Sequence, residues 1–111
     1  MRTKIHLRTL ALAALIAGAA WPAAAQPEPG DPASGLRLSA TWCANCHRVA
    51  PGGPGPSTDA APTFRAIAQM PSTTSMSLRV FLQTPHPNMP DYRLTRDELD
   101  DVVAYLISLK R

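Results

Sequence analysis

Cysteine is scarce in this chain: its 111 residues contain two, Cys43 and Cys46. A disulfide between cysteines so close in sequence closes a tiny loop and staples nothing distant. Aromatic residues make up 5% of the chain, too few to fill a core by themselves. Lysine is nearly absent beyond the first 25 residues, where Lys110 stands alone, so a lysine-rich docking ring is excluded. No segment alternates apolar and polar residues for long enough to read as a strand, and there is no internal repeat. The apolar run Leu10–Ala20 is short of the ~20 residues a bilayer span needs.

That run nevertheless has a recognisable setting. Arg2, Lys4 and Arg8 precede it without an acid, Pro22 follows it, and Ala23–Ala25 offer small residues at a cleavage position. The order basic, apolar, small defines a secretory signal peptide over residues 1–25, cut near Ala25–Gln26. The competing reading is a retained membrane anchor. A lipid anchor is disfavoured because no cysteine lies near the cut. Export also reinterprets the charge. The chain has 11 basic and 8 acidic residues, formally +3. Taking away the three bases of the signal leaves eight against eight, so nothing suggests nucleic-acid binding.

Residues 26–33, "QPEPGDPA", read as a flexible tether, and residues 34–111 as one folded domain. A core this small is marginal and calls for a staple such as a disulfide, metal or cofactor. "ASGLRLSATWC" (residues 33–43) predicts a helix capped by Ser34 or Asp31, with small residues on one face that admit a close neighbour. Residues 48–62 are rich in proline and glycine and form a loop. "TFRAIAQM" predicts a brief helical turn burying Phe64, Ile67 and Ala68. "SMSLRVFLQ" predicts a second, with an apolar stripe of Leu78, Phe81 and Leu82, ended by Pro85. Thr95 and Glu98 form a capping box for a last helix, whose stripe is Leu99, Val102, Val103 and Leu106. The fold class is all-α: three to four short helices joined by stiff loops.

The two cysteines stand in "CANCH", residues 43–47. A thioredoxin-like redox pair wants a βαβ context, which is absent. A structural zinc site needs a second pair of ligands at finger-like spacing, and only His86 and scattered acids are available. The remaining reading, C-x-x-C-H, is covalent haem attachment. Two thiols one helical turn apart reach the two vinyl groups and form thioethers, and the next residue, His47, is aimed at the iron from beneath. One haem c also supplies the missing apolar bulk.

A haem iron accepts a second axial ligand opposite His47. The candidates are Met70, Met76, Met89 and His86. Met70 and Met76 suit gap-filling packing better. Met89 lies in "QTPHPNMPDY", residues 83–92, a loop stiffened by Pro85, Pro87 and Pro90, and stiffness lowers the entropy cost of holding a weak thioether in place. His86 is the rival ligand, with an ordinary loop histidine as its bland reading. A water-bound or open site is the third option. His/Met ligation raises the reduction potential relative to His/His, and a filled sixth position suppresses oxygen chemistry.

Taken in order, "GLRLSATWCANCH", "APTF", "HPNMP" and "DVVAYLISL" resemble the small bacterial class I c-type cytochromes over about residues 35–109. The resemblance implies the cytochrome c fold, with the N- and C-terminal helices crossing around one covalently bound haem. It implies that Gly35 is the small contact at that crossing, against Tyr105 and Val102. It implies that the carbonyl of Pro62 accepts the Nδ1–H of His47, and that Trp42 and Phe64 pack near the porphyrin. One departure stands out. Many relatives have phenylalanine four residues before the first cysteine; here it is Ser39, with Leu36 or Leu38 left to replace its contact.

The expected function is that of a periplasmic monohaem electron carrier with His47 and Met89 as axial ligands. It is not an enzyme, works as a monomer or in transient complexes with a redox donor and acceptor, and meets a membrane only through partners. Two alternatives remain: a haem subunit of a larger periplasmic dehydrogenase or oxidase complex, and a haem sensor or small enzyme with a labile sixth ligand.

Overall fold

A computed structural model describes residues 26–56 and 59–111, together with Pro22 and Ala24. The proposed signal peptide lies outside the described residues but for those two. Among the described residues the regular structure is all helical: α1 (Pro32–Trp42), α2 (Phe64–Gln69), α3 (Ser75–Leu82) and α4 (Arg96–Ser108). No described helix is long and apolar enough to cross a membrane.

Each helix starts on a side-chain cap that takes donors the first turn cannot satisfy internally. Asp31, rather than Ser34, caps α1: its carboxylate accepts the N–H groups of Ala33 and Ser34 at 3.1 Å each, and Pro32 follows at the first helical position. The Ser34 hydroxyl, then these two amides, hold the Asp31 carboxyl below its ordinary range. Thr63 caps α2. Thr95 and Glu98 close the expected capping box on α4, while α3 has one made by Thr74 and Ser77.

The segment expected as a tether is anchored from Glu28 onward. Glu28 pairs with Arg79 of α3 at 3.0 Å and accepts from the Ser75 hydroxyl. Arg79 also pairs with Asp100 of α4, and the Asp31 N–H donates to Asp101 at 2.7 Å. Helix α1 begins at Pro32, inside the expected tether. The reason is electrostatic: a cation on α3 between two acids, and an acid on α4 facing a free backbone donor, give residues 28–31 fixed partners. Gly30, at φ +98°, rests on the backbone of Asp100 so closely that a Cβ would lie 2.4 Å from it.

The core forms where α4 crosses α1. Leu99, Val102, Val103, Tyr105 and Leu106 are buried with Phe64, Leu78 and Val49. A Cβ on Gly35 would lie 2.0 Å from the Asp101 carbonyl oxygen and 2.8 Å from the Tyr105 Cβ. Tyr105 therefore occupies its expected place opposite Gly35, beside the backbone of Asp101. Leu36 and Leu38 pack on this core half-buried. On α3 the expected stripe is incomplete: Leu78 is buried and Leu82 packs against the core, but Phe81 is 44% exposed.

Candidate haem site

The attachment motif follows directly from α1. The Cys43 N–H donates to the Ser39 carbonyl at 2.8 Å, completing the last turn. The N–H groups of Cys46 and His47 then both donate to the Cys43 carbonyl, at 3.1 and 2.9 Å. This tight turn gathers the three side chains. Both cysteines are free thiols, Cys43 half-buried and Cys46 exposed. Burial pushes the Cys43 thiol up; the Ser39 hydroxyl works against that rise, and the nearby Cys46 adds to it.

His47 is oriented from the far side of the loop. Its Nδ1–H donates to the Pro62 carbonyl at 2.6 Å. A carbonyl only accepts, so the proton sits on Nδ1 and the lone pair on Nε2. The imidazole also meets the edge of Phe64, with centroids 5.4 Å apart. Pro62 is positioned because Thr63 caps α2 and the Phe64 N–H reaches back to the Arg48 carbonyl at 3.0 Å. The loop after His47 is pinned at Val49, whose carbonyl accepts the Tyr105 hydroxyl at 2.7 Å. Pro51 and Gly52 (φ +69°) turn the chain so that the Gly53 N–H meets the Ala50 carbonyl at 3.1 Å.

The Met89 segment is built on a second tight turn of the same kind. His86 and Met89 form an isolated antiparallel bridge, with the Met89 N–H donating to the His86 carbonyl at 3.4 Å. Between them Pro87 supplies a fixed φ and Asn88 adopts φ +62°, the arrangement of a type II turn. His86 secures the turn to α3. Its ring stacks on Phe81 with centroids 3.6 Å apart, and its Nδ1–H donates to the Thr84 carbonyl at 2.6 Å. Beyond Pro90, the Tyr92 ring stacks on Trp42, the residue before Cys43, at 5.2 Å and 28°. Met89 itself is half-buried, whereas Met70 and Met76 are exposed.

Reading the sequence for ligands overlooks Asn88 and the pairing of Phe81 with His86. Asn88 carries a readable signal, since proline followed by asparagine suits the two central positions of a type II turn. The stacking of Phe81 has no local signal; its spacing matches a core stripe equally well.

The donor set is suited to a haem and to little else. No cluster of three or more histidine, cysteine or acidic side chains among the described residues has the arrangement of a metal-ion site, which removes the second ligand pair a structural zinc would need. What stands together is a pair of free thiols one turn apart, a histidine with its tautomer fixed, and a buried hydroxyl beside one thiol. These features and the all-helical frame define a small haem-binding protein of the c type.

Residues 32–110 match the Cytochrome c family. The chain is also 39% identical over 106 residues to cytochrome c-552 of Bradyrhizobium diazoefficiens, an alignment covering 96% of this chain and 97% of that protein. The chain belongs to the cytochrome c family. Its cofactor is covalently bound haem c with iron, for which Cys43 and Cys46 fit the attachment motif, and its work is electron transfer with redox partners.

Proposed function

We propose that this chain is a periplasmic monohaem electron carrier, with Cys43 and Cys46 as thioether anchors, His47 as proximal ligand and Met89 as distal ligand. When bound, the haem supplies a one-electron Fe(II)/Fe(III) couple. The observation that carries the reading is the hydrogen bond from His47 Nδ1–H to the Pro62 carbonyl. It leaves Nε2 as the ring's free lone pair, limits ring rotation and raises the basicity of the ligating nitrogen.

Met89 is the better distal ligand on two grounds. Its backbone is held by the turn at Pro87–Asn88 and by the stack of Tyr92 on Trp42, so a weak donor is presented at low entropic cost. His86 stacks its ring on Phe81, which holds the imidazole against α3 and makes it an anchor of the loop. Export through residues 1–25, with maturation near Ala25–Gln26, makes the carrier periplasmic. With eight bases balanced by eight acids, encounters with donor and acceptor are brief and weakly dependent on salt.

One observation favours a second reading, a haem subunit of a larger complex. Met76 is 69% and Val80 59% exposed on α3, the helix that also carries Phe81. An apolar patch of this kind suits a lasting partner.

The decisive experiment is the visible spectrum of the exported protein with and without Met89→Ala. The carrier reading expects a haemochrome of two thioethers and a far-red sulfur-to-iron band that the substitution abolishes. Absence of that band from the wild type, or rapid carbon monoxide binding to its reduced form, refutes Met89 as a stable ligand. Copurification with a catalytic subunit selects the second reading.

A further inference from the structure

Ser39 is 1% exposed, and its hydroxyl is the one buried side-chain polar atom among the described residues without a hydrogen-bond partner. Burying a hydroxyl unpaired is unfavourable. The usual escape for a helical serine or threonine is to donate to a carbonyl one turn earlier. Other hydroxyls here do so: Thr41 to Arg37 at 3.0 Å, Thr84 to Val80 at 2.7 Å, and Ser108 to Tyr105 at 2.6 Å. Ser39 does not take that route. Nor does the Tyr105 hydroxyl donate to it, being committed to Val49.

The hydroxyl's natural neighbour lies one turn ahead. Ser39 and Cys43 are four residues apart in continuous helical geometry, joined by the 2.8 Å bond between their backbones, so their side chains lie on one face. The Ser39 hydroxyl already favours the charged form of the Cys43 sulfur, although it does not reach full hydrogen-bond geometry with the free thiol. Once that thiol has added across a vinyl double bond, its proton resides on the former vinyl group. The sulfur then keeps two lone pairs and no hydrogen, and can only accept.

We infer that Ser39 is a positioning residue for the haem, donating its hydroxyl to the thioether sulfur of Cys43. This bond fixes the side-chain rotamer of Cys43, and with it the angle at which the first attachment bond leaves α1. It gives the serine a purpose that a small spacer at the α1–α4 crossing would not have. The inference rests on haem attachment at Cys43 and is independent of which residue binds the distal face.

The test is resonance Raman spectroscopy of the holoprotein, unfolded and refolded in H2O or in D2O so that the buried hydroxyl exchanges. One of the two thioether C–S stretching bands is expected to shift in D2O in the wild type and in Ser39→Thr, and to lose that shift in Ser39→Ala. The denaturation midpoint should fall in Ser39→Ala, because a satisfied hydrogen bond is lost. A wild-type spectrum with no isotope shift overturns the inference without any variant being needed. So does a Ser39→Ala protein that is more stable than wild type, the behaviour of an orphaned hydroxyl. A pyridine haemochrome showing one thioether, with Cys43 free to thiol reagents, defeats the attachment reading itself and is distinguished in that way.

Discussion

Tyr92 lies on Trp42 with ring centroids 5.2 Å apart and planes inclined at 28°. The stack joins the segment that carries Met89 to the end of the helix that carries the cysteines, across 50 residues of sequence. It is offset stacking of the kind worth about 0.5–1.5 kcal/mol beyond the area it buries. Tyr92→Ala should therefore loosen the Met89 segment before it loosens the fold. With Met89 as the proposed ligand, a denaturant titration of the oxidised holoprotein should lose the far-red band at lower denaturant than the helical signal, with the gap wider than in wild type. Coincident losses in wild type and variant would show that the stack does not hold the Met89 segment.

The turn at Pro87–Asn88 acts on the same loop through the backbone. Asn88 stands at φ +62°, where asparagine is tolerated and β-branched residues are strained. Asn88→Val should cost about 1–2 kcal/mol, and Asn88→Gly should be close to neutral. Since both remove the same amide, the contrast isolates conformation from side-chain bonding. Thermal denaturation of the three proteins checks it.

Much of this architecture is legible locally. The capping box at Thr95 and Glu98 and the apolar stripe of α4 depend on neighbours three and four residues apart, and both appear as the pattern dictates. The C-x-x-C-H spacing is equally local. Glu28 is the contrary case. Its partner Arg79 is 51 residues away, and "QPEPGDPA" has the composition of a linker, so nothing nearby reveals that it is fastened. Phe81 shows a subtler limit: helical periodicity assigns it to an apolar face but does not distinguish the core from the ring of His86. Ser39 was visible as a departure from a family pattern, while its lack of a partner emerged only with the fold.

Arg79 between Glu28 and Asp100 predicts a dependence of stability on the N-terminal segment. Its side chain is 21% exposed, and both acids hold the guanidinium's proton more firmly, Asp100 first. Arg79→Ala takes from Glu28 and Asp100 the cation they share and leaves Glu28 held to α3 by the Ser75 hydroxyl alone. A partly exposed network of this size contributes about 1–2 kcal/mol after screening. Equilibrium unfolding should show that loss, and added salt should narrow the difference from wild type. A difference that is unchanged by salt would assign the effect to packing of the arginine stem.

The crossing at Gly35 is the most sensitive position in the frame. Adding a methyl group there puts it 2.0 Å from the Asp101 carbonyl oxygen, which is backbone and cannot rotate aside. Helix α1 must then move away from α4, carrying Cys43 with it. Overpacking of this kind costs about 3 kcal/mol, large against the stability of so small a domain. Gly35→Ala should lower the thermal midpoint and the yield of holoprotein together. Gly52→Ala is the useful comparison, because no atom lies within 4 Å of the position and only its φ of +69° opposes the change.

Tyr105 gives the fold an alkaline limit. Its hydroxyl donates to the Val49 carbonyl at 2.7 Å, and burial raises its pKa above the ordinary 10.0. An acid whose folded pKa is raised keeps its proton longer in the native state than in the unfolded one. The associated stability is therefore fully present below about pH 10 and declines as pH rises from there through the higher folded value. Tyr105→Phe removes the donor and leaves the Val49 carbonyl buried without it, at a cost of about 1–2 kcal/mol at neutral pH. The cost should shrink above pH 10, where the unfolded wild type is stabilised by ionising while the folded protein still keeps its proton. Unfolding free energies of the two proteins measured from pH 7 to pH 11 should converge; parallel curves over that range would mean that Tyr105 does not ionise on unfolding and that its hydroxyl sets no alkaline limit.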